Sequence, residues 1–433
     1  MSSFRQRLLD EMADVPTVDC HSHTMLRSEY EARAAEDRNL FTITTYFRRD
    51  MSGIIGTGHE RLYDDAQSDE ERWQRFKHTL DRGRNVSYYR HNIATYQGIF
   101  DFADDDLTDD NWSALNERIK EWTARPDWYD DVTRTKCNLV TQIRNVPWYE
   151  DWEPEYFTAT LRMEPAIRDG SLLAAAQRAP FEAHMNREFR TTASLKQGLA
   201  DYIDGYAQRG AIGIKLAHAY NRTLETEDVP EHEVEAIWQR ALRGEEMSAA
   251  DVRAFQDHII WWLAGLCTDE SLIFQIHTGM QGNWDHIPDS NPLHLLPMIR
   301  AHRNTRFDLF HAGYPYSREL GVLGKHYPNV WLNMCWMYLI SMAGSRQILS
   351  EWIDLVPHYR LLGFGSDLTW PETIYGHLSM ARSCIADVLA EKVEHDFLSK
   401  SVAIDLARGL MHDSPMAFYG LDGPAAQTQA AAG

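Results

Sequence analysis

The fold is decided first by residues 15–23, which read VPTVDCHSH. On a β-strand alternate side chains face the same way, so His21 and His23 are expected to project together from the strand end. Neutral imidazole is the commonest protein ligand for zinc-like ions, and such a pair supplies half of a metal site. The two histidines are strong evidence for a metal site only if later strands place further metal ligands at the same position.

Seven further short apolar runs follow along the chain and are separated mostly by helical patterns. Continuous apolar runs of this length are typical of strands buried in a parallel sheet. With the first run included, the predicted strands cover residues 17–23, 138–143, 157–163, 212–217, 272–277, 307–311, 330–334 and 361–367. Strands that alternate with helices about eight times in a chain of this length predict an α/β fold, a (β/α)8 TIM-like barrel.

The interval from residue 25 to residue 136 differs from the rest of the chain. It is rich in Trp, Tyr, Arg and Asp and is mainly helical in pattern. No linker rich in Pro, Gly or Ser bounds it, which favours a helical insertion that roofs the barrel mouth over an independent domain. We therefore predict one barrel domain over 1–433, with this 25–136 insertion after the first strand and a disordered tail at 424–433.

The composition limits the partners and the surroundings of the protein. The 43 basic and 64 acidic residues give a formal net charge of −21, which argues against a nucleic-acid or anionic-membrane partner. The sequence has neither the apolar core of a signal peptide nor an apolar stretch long enough to span a bilayer. Its five cysteines are scattered singly, as suits a reducing compartment. We expect a cytoplasmic protein and leave homo-oligomerisation open.

Polar side chains recur where the predicted strands end. The fourth, fifth, sixth and eighth strands end at or near Lys215, His277, His311 and Asp367. Barrel enzymes place their catalytic groups at the carboxyl ends of the strands, which all meet at one rim. Together with the first-strand histidines, these residues predict one catalytic metal site at that rim.

The same residues resemble the ligand pattern of the amidohydrolase superfamily of metal-dependent barrels. The stretches FQIHTG at 274–279, SNPLH at 290–294, HAGYP at 311–315, and SD at 366–367 with PET at 371–373 are most similar to its amidohydrolase-2 branch. That branch includes the amidohydrolase-like part of FluG and nodulin-type proteins, which is fused to a glutamine synthetase portion absent from this chain. The resemblance covers the barrel and is densest over residues 205–390, while the insertion carries none of it.

The resemblance implies that His21, His23, His277 and Asp367 bind a divalent metal. Zinc is the expected ion, with manganese and iron as alternatives, because such ions accept imidazole and carboxylate ligands. The cation would lower the pKa of a bound water and supply hydroxide as the nucleophile. Asp367 would accept a proton from this water and later deliver it to the leaving group.

Lys215 and His311 decide how many ions are expected. In binuclear members of the superfamily the fourth-strand lysine is carboxylated and bridges two ions, and burial favours the neutral amine that this reaction needs. His311 would then bind the second ion. In mononuclear members that histidine contacts the substrate, stabilises the oxyanion or moves protons, and Lys215 would hold a substrate carboxylate. One ion is favoured, because amidohydrolase-2 proteins are often mononuclear.

Four further residues at or just beyond strand ends are candidates for substrate binding: Arg144, Arg162, Glu164 and Trp370. A guanidinium at the rim would clamp a substrate carboxylate through two hydrogen bonds. An internal Arg–Glu bridge accounts equally well for Arg162 and Glu164. Trp370 is a candidate wall of the pocket, although tryptophans are more often core residues.

We predict a metal-dependent hydrolase that activates water to cleave an amide, ester or lactone bond of a small, carboxylate-bearing substrate. Two alternatives use the same ligands: a non-oxidative decarboxylase and a uronate-isomerase-like enzyme that moves protons between carbons. Fold and metal are shared among these enzymes while the pocket decides the reaction, so the sequence leaves them open. A non-catalytic binding or regulatory protein is the remaining alternative, and lost ligands would favour it, yet every expected ligand is present.

Overall fold

The computed structural model describes residues 3–44, 46–56, 66–168, 171–281 and 286–422. In these ranges eight parallel strands form one sheet in chain order and make a nearly closed (β/α)8 barrel, as predicted. The strands are β1 (Thr17–Ser22), β2 (Leu139–Val146), β3 (Phe157–Arg162), β4 (Gly213–Leu216), β5 (Ile273–Ile276), β6 (Arg306–Leu309), β7 (Val330–Asn333) and β8 (Leu361–Leu362).

Helices alternate with the strands and also fill the long interval between β1 and β2. Those up to β4 are α1 (Ser3–Asp14), α2 (Arg27–Ala32), α3 (Phe47–Ile55), α4 (Asp69–Gly83), α5 (Ser87–Ile99), α6 (Trp112–Thr123), α7 (Trp128–Asp130), α8 (Glu164–Ile167), α9 (Ala175–Met185) and α10 (Thr192–Ala207). The later ones are α11 (Glu231–Leu242), α12 (Ala249–Asp269), α13 (Leu296–Ala301), α14 (Ser317–His326), α15 (Met337–Ile340), α16 (Met342–Leu355), α17 (Pro371–Glu394), α18 (Lys400–Arg408) and α19 (Ser414–Tyr419). None of the described helices is long and apolar enough to cross a bilayer.

The eighth strand is shorter than its predicted range of 361–367. Only Leu361–Leu362 pairs as a regular strand, and the N–H of Gly363 donates instead to the carbonyl of Leu410. The extended chain beyond it still borders β1, because the N–H of Cys20 donates to the carbonyl of Phe364 at 3.0 Å. Asp367 therefore lies on an irregular segment rather than on a strand, and its position depends on contacts outside the sheet ladder.

The chain divides into two compact units. The first comprises Met1–Gln142, Cys335–Ser350 and Gly363–Asp413, and the second comprises Ile143–Met334, Glu351–Leu362 and Ser414–Gly433. Our prediction of one domain over 1–433, roofed by its insertion, stays a prediction. The tail predicted to be disordered at 424–433 lies outside the described residues.

In the first unit, helix α5 of the 25–136 interval packs closely on α17. A Cβ at Gly376 would lie 2.3 Å from Thr95 Oγ1 and 2.5 Å from the carbonyl of His91, so only glycine permits this approach. His91 Nε2–H donates to the carbonyl of Thr373 at 2.6 Å. Because α17 begins four residues after Asp367, this packing anchors the segment that carries a predicted metal ligand.

In the second unit, a buried carboxylate holds several elements together. Asp308 on β6 accepts hydrogen bonds from Gln275 of β5 at 2.9 Å, from Asn333 of β7 at 2.9 Å and from Tyr419 of α19 at 2.7 Å. Burial raises the pKa of Asp308 to about 6 despite these donors. The network satisfies a polar group that would otherwise be costly in the core.

Candidate metal centre

Two histidines and one aspartate meet at the end of β1. His21 lies within β1, His23 follows its last residue, and Asp367 comes from the segment after β8. The Nε2 atoms of His21 and His23 lie 3.4 and 3.3 Å from Asp367 Oδ1. One ligand atom from each residue lies within 4.8 Å of the others. The structure therefore brings together three of the four predicted metal ligands.

The chemistry of this donor set fits a divalent metal of the zinc class. Two imidazole nitrogens and one carboxylate oxygen are the ligands that such ions accept, and three protein ligands leave a position for water or substrate. His21 is buried, whereas the side chain of His23 is 37% exposed and that of Asp367 is 10% exposed. A ligand could thus approach the group from the side of His23.

A buried aspartate ties together the two segments that carry these ligands. Asp19 Oδ1 accepts the backbone N–H of Ser366 at 2.7 Å and that of His21 at 3.3 Å. Burial raises the pKa of Asp19 to about 7, and the hydrogen bonds oppose this shift only in part. The N–H of Asp367 also donates to the carbonyl of His21 at 2.9 Å. Together these bonds set the separation between the imidazoles and the carboxylate.

The backbone of Asp367 adopts a left-handed conformation, with φ of +53°. Non-glycine residues in this region are uncommon and cluster at functional sites, where the surrounding structure maintains them. Aspartate tolerates the conformation better than most residues do. The turn at Asp367 directs Oδ1 towards the two imidazoles and leaves Oδ2 for a different partner.

That partner is Tyr46, which precedes α3 in the 25–136 interval. Its hydroxyl donates to the carbonyl of Asp367 at 2.7 Å and lies 3.1 Å from Asp367 Oδ2. The ring stacks on Tyr88 with centroids 5.5 Å apart, and it contacts Trp336 at 4.9 Å. The guanidinium carbon of Arg49 lies 5.4 Å from the centroid of the same ring.

Sequence reasoning did not identify Tyr46 as a site residue. The 25–136 interval contains many tyrosines, and no spacing rule sets this one apart from those of the core. The only signal was the run Tyr46-Phe47-Arg48-Arg49, which places an aromatic residue and two cations at the start of a helix. Its contact with Asp367 depends on chain packing over more than three hundred residues.

His277 and His311 lie in the second unit and contact each other. His277 Nε2 is 2.9 Å from the carbonyl of Met280, to which it must donate, because a carbonyl only accepts. In a neutral ring Nδ1 is then an acceptor, and it receives the Nε2–H of His311 at 2.9 Å. The metal role of His277 stays a prediction.

Lys215 is buried on β4, in register with Arg162 of β3 and Gln275 of β5. Partners in register on parallel strands project to the same face of the sheet. The ammonium nitrogen lies 5.9 Å from the ring centroid of Phe310, next to His311 in the chain. Carboxylation of Lys215, and with it a second ion bound by His311, stays a prediction.

Three of the predicted substrate-binding residues also lie in the second unit. Arg162 Nε donates to Glu164 Oε2 at 2.8 Å, so the internal ion pair is formed. These two residues line an open cavity of about 420 Å³ with Arg168 and Trp148. Arg144 is buried, with its guanidinium carbon 5.4 Å from the ring centroid of Phe157. The carboxylate clamp predicted for these arginines stays a prediction.

Trp370, the fourth predicted substrate residue, lies close to the histidine–aspartate group. It lines a cavity of about 200 Å³ together with Tyr46, Arg48, Arg49 and residues 367–369. Its ring contacts Tyr30 at 6.4 Å between centroids. The placement fits the predicted pocket wall.

The chain is similar in sequence to a known family and to several curated proteins. The model of the Amidohydro_2 (amidohydrolase) family matches residues 229–421. Protein fluG of Emericella nidulans is 24% identical over 307 residues, which are 68% of this chain and 34% of that protein. A uronate isomerase of Phenylobacterium zucineum is 26% identical over 474 aligned positions, which cover 99% of this chain and 95% of that enzyme. The first three curated relatives are each matched over only 34% to 54% of their own length.

Solved structures share the fold across almost the whole chain. The glucuronate isomerase of Caulobacter crescentus superposes with a TM-score of 0.80 at 17% identity, over 97% of this chain and 94% of that chain. The uronate isomerase of Thermotoga maritima gives a TM-score of 0.78 at 14% identity, over 97% and 98% of the two chains. At such low identity these likenesses establish the barrel and nothing finer.

Proposed function

We propose that this chain, which is similar to members of the amidohydrolase superfamily, is a metal-dependent isomerase that interconverts the aldose and ketose forms of a uronate. One observation carries the proposal: a curated uronate isomerase aligns with 99% of this chain and is itself covered over 95% of its length. The hydrolase predicted from the sequence uses the same ligands but is less favoured, because relatives that align over nearly the whole chain are named isomerases.

The reaction needs one group that accepts and returns a proton beside the substrate. An aldose becomes a ketose when one hydrogen moves from C2 to C1 and one proton moves from O2 to O1, with no change in composition. Asp367 fits this task, since Oδ1 faces the histidines while Oδ2 lies beside the hydroxyl of Tyr46. Tyr46 orients the carboxylate and offers an O–H dipole to charge that develops there.

The metal would be held by His21, His23 and Asp367, with His277 as the predicted fourth ligand. A bound divalent cation polarises substrate oxygens and so makes the hydrogen on the adjacent carbon more acidic. Zinc remains the expected ion, with manganese and iron as alternatives. The substrate is proposed to be a small sugar acid, in line with the name of the aligned relative.

The proposal is tested by following D-glucuronate and D-galacturonate with the metal-loaded protein. Carbon-13 NMR should show a ketone carbon appearing while the mass of the substrate stays unchanged and no carbon dioxide is released. Chelation of the metal should stop the reaction, and readdition of the ion should restore it. The Asp367→Asn variant should lose most turnover, and Arg90→Gln, which alters an arginine hydrogen-bonded to the carbonyl of Asp105, serves as the matched control.

Two results would contradict the proposal. The first is release of carbon dioxide from an acid substrate, which indicates a decarboxylase. The second is cleavage of an amide, ester or lactone by protein that leaves every tested uronate unchanged, which restores the hydrolase prediction. Equal turnover by Asp367→Asn and wild type would instead remove Asp367 from the proton-transfer role.

A further inference from the structure

The peptide bond between Ser366 and Asp367 is held by hydrogen bonds at both of its polar groups. Its N–H, which belongs to Asp367, donates to the carbonyl of His21 at 2.9 Å. Its carbonyl, which belongs to Ser366, lies 3.1 Å from Nδ1 of His377, and this nitrogen must donate because a carbonyl only accepts. The orientation of the peptide plane is therefore fixed from two directions within the first unit.

His377 lies on α17, and its side chain is fully buried. The rings of Phe364, Tyr338 and His91 pack around it, with centroids 5.1, 5.7 and 6.4 Å away. Burial lowers the pKa of His377 to about 3, so the ring is neutral near pH 7 and carries one N–H. Nε2 is then an acceptor, and it has no hydrogen-bond partner in the part of the chain that the structure describes. Replacing the ring by an apolar side chain would thus delete one hydrogen bond, the one to Ser366.

The plane of this peptide decides where the carboxylate of Asp367 points. Asp367 has φ of +53°, a left-handed conformation that costs free energy in a non-glycine residue. With the peptide plane held, this φ sets the direction of the Cα–Cβ bond and so directs Oδ1 towards the two imidazoles, at 3.4 and 3.3 Å. A peptide that could tilt would let the backbone relax and would move Oδ1 away from this position.

All four backbone polar groups of Ser366 and Asp367 have hydrogen-bond partners on other segments. These partners are Asp19, His377, His21 and Tyr46. Two of them lie on β1 and one precedes α3, whereas His377 belongs to α17, the helix that this segment enters. His377 therefore ties the position of Asp367 to the helix that packs on α5.

We propose that His377 is a positioning residue, which holds the peptide between Ser366 and Asp367 so that the carboxylate of Asp367 stays directed towards the metal site. The inference rests on the metal and proton-transfer roles that the proposed function gives to Asp367, and it adds the residue that maintains them from α17. A metal ligand that is held in place beforehand binds more tightly, because less of its freedom is lost when the ion arrives. The effect passes through the backbone of Asp367, so His377 need not contact the ion or the substrate.

The test compares zinc affinity with the stability of the metal-free protein in the full chain. The zinc dissociation constant is measured by competition with a chromophoric chelator, and the free energy of unfolding by urea titration. His377→Leu removes the N–H donor and keeps a buried apolar side chain of similar size. It should weaken zinc binding by about threefold to tenfold, the equivalent of one hydrogen bond between neutral groups. If this variant does not fold, His377→Ala takes its place, because a smaller side chain cannot clash.

Two further variants separate positioning from a general loss of stability. Tyr338→Phe removes a buried hydroxyl that donates to the carbonyl of Gly363 at 2.7 Å, on the same segment but three residues before Ser366. It should destabilise the metal-free protein, as His377→Leu does, but leave zinc affinity unchanged. His377→Asn keeps a side-chain N–H close to the position of Nδ1, so it should recover much of the zinc affinity that His377→Leu loses.

The outcomes distinguish this inference from the proposed function. Equal zinc affinity in wild type and His377→Leu overturns the inference. An equal loss in Tyr338→Phe also overturns it, because the segment would then respond to any lost contact, and so does zinc binding by His377→Asn that is no tighter than that of His377→Leu. Zinc affinity that depends on the His377 donor in a protein that isomerises no uronate supports the positioning role and refutes the isomerase.

Discussion

The substitution Tyr46→Phe removes one hydroxyl from the candidate site and leaves the ring that positions it. That hydroxyl donates to the carbonyl of Asp367 at 2.7 Å and lies 3.1 Å from Oδ2 of the same residue. The phenylalanine ring can keep the contacts with Tyr88 at 5.5 Å and Trp336 at 4.9 Å. The change is therefore confined to the orientation and the electrostatics of one carboxylate.

The expected effect follows from the charge of the Asp367 carboxylate, whose Oδ2 the hydroxyl also contacts at 3.1 Å. A hydrogen bond to a charged group contributes about 1.5–3 kcal/mol, and most of it is lost when the donor is deleted. If Asp367 transfers the proton, this loss raises the barrier, and kcat should fall by roughly tenfold to a hundredfold. Metal content should not change, because the imidazoles face Oδ1, whereas Tyr46 approaches Oδ2.

The assay compares the steady-state kinetics of uronate isomerisation with the metal content of each purified variant. Circular dichroism is used to check that Tyr46→Phe is folded, and Tyr88→Phe serves as the matched control because its ring stacks on Tyr46. Unchanged kcat in Tyr46→Phe would refute the role given to the hydroxyl. Loss of the metal with a normal spectrum would show that Tyr46 supports metal binding rather than proton transfer.

Three further predictions concern metal count, pH dependence and packing. Metal analysis should find one ion per chain whether or not bicarbonate is supplied during expression, and a second ion that depends on bicarbonate and is lost in Lys215→Met would establish the carboxylated lysine instead. In metal-free protein the raised pKa of Asp19, about 7, means that the folded state holds this proton more tightly than the unfolded chain, in which the pKa is about 4. The free energy of unfolding should therefore fall as pH rises from about 4 to about 7, and urea titrations of Asp19→Asn should show a flatter profile. Gly376→Ala places a methyl group 2.3 Å from Thr95 Oγ1, so the free energy of unfolding should fall by about 1–3 kcal/mol, whereas alanine at Gly205, which has no atom within 4 Å, should be tolerated.

Much of the barrel was predictable because buried parallel strands read as continuous apolar runs. Each of the eight predicted runs overlaps an observed strand, and the helical character of 25–136 is seen in α2 to α7. The main departure is β8, where the pairing stops at Leu362 and Gly363 bonds to Leu410 instead. The apolar run continues past Leu362, so the sequence pattern alone could not predict where β8 ends.

The candidate site was predictable only in part. The strand parity of His21 and His23, together with the position of Asp367 after an apolar run, predicted the group that the structure brings within 4.8 Å. The pairing of His277 with His311 could not be read from spacing, because it depends on the turns that follow two different strands. The 25–136 interval carried no residue of the family pattern, so nothing beyond the short aromatic and basic run that begins at Tyr46 could have pointed to the contribution of Tyr46.

By itself the sequence determined the order of strands and helices and the chemical types at the strand ends, because both are local properties of periodicity and composition. The tertiary structure decided which of these groups meet. It joined Asp367 to His21 through a backbone hydrogen bond and to Tyr46 from the 25–136 interval, and it paired Arg162 with Glu164. Such contacts depend on how distant segments of the chain pack. The strength of a hydrogen bond or ion pair changes when its two atoms move by a few tenths of an ångström, whereas local sequence patterns specify only the face of a strand or helix on which a side chain lies.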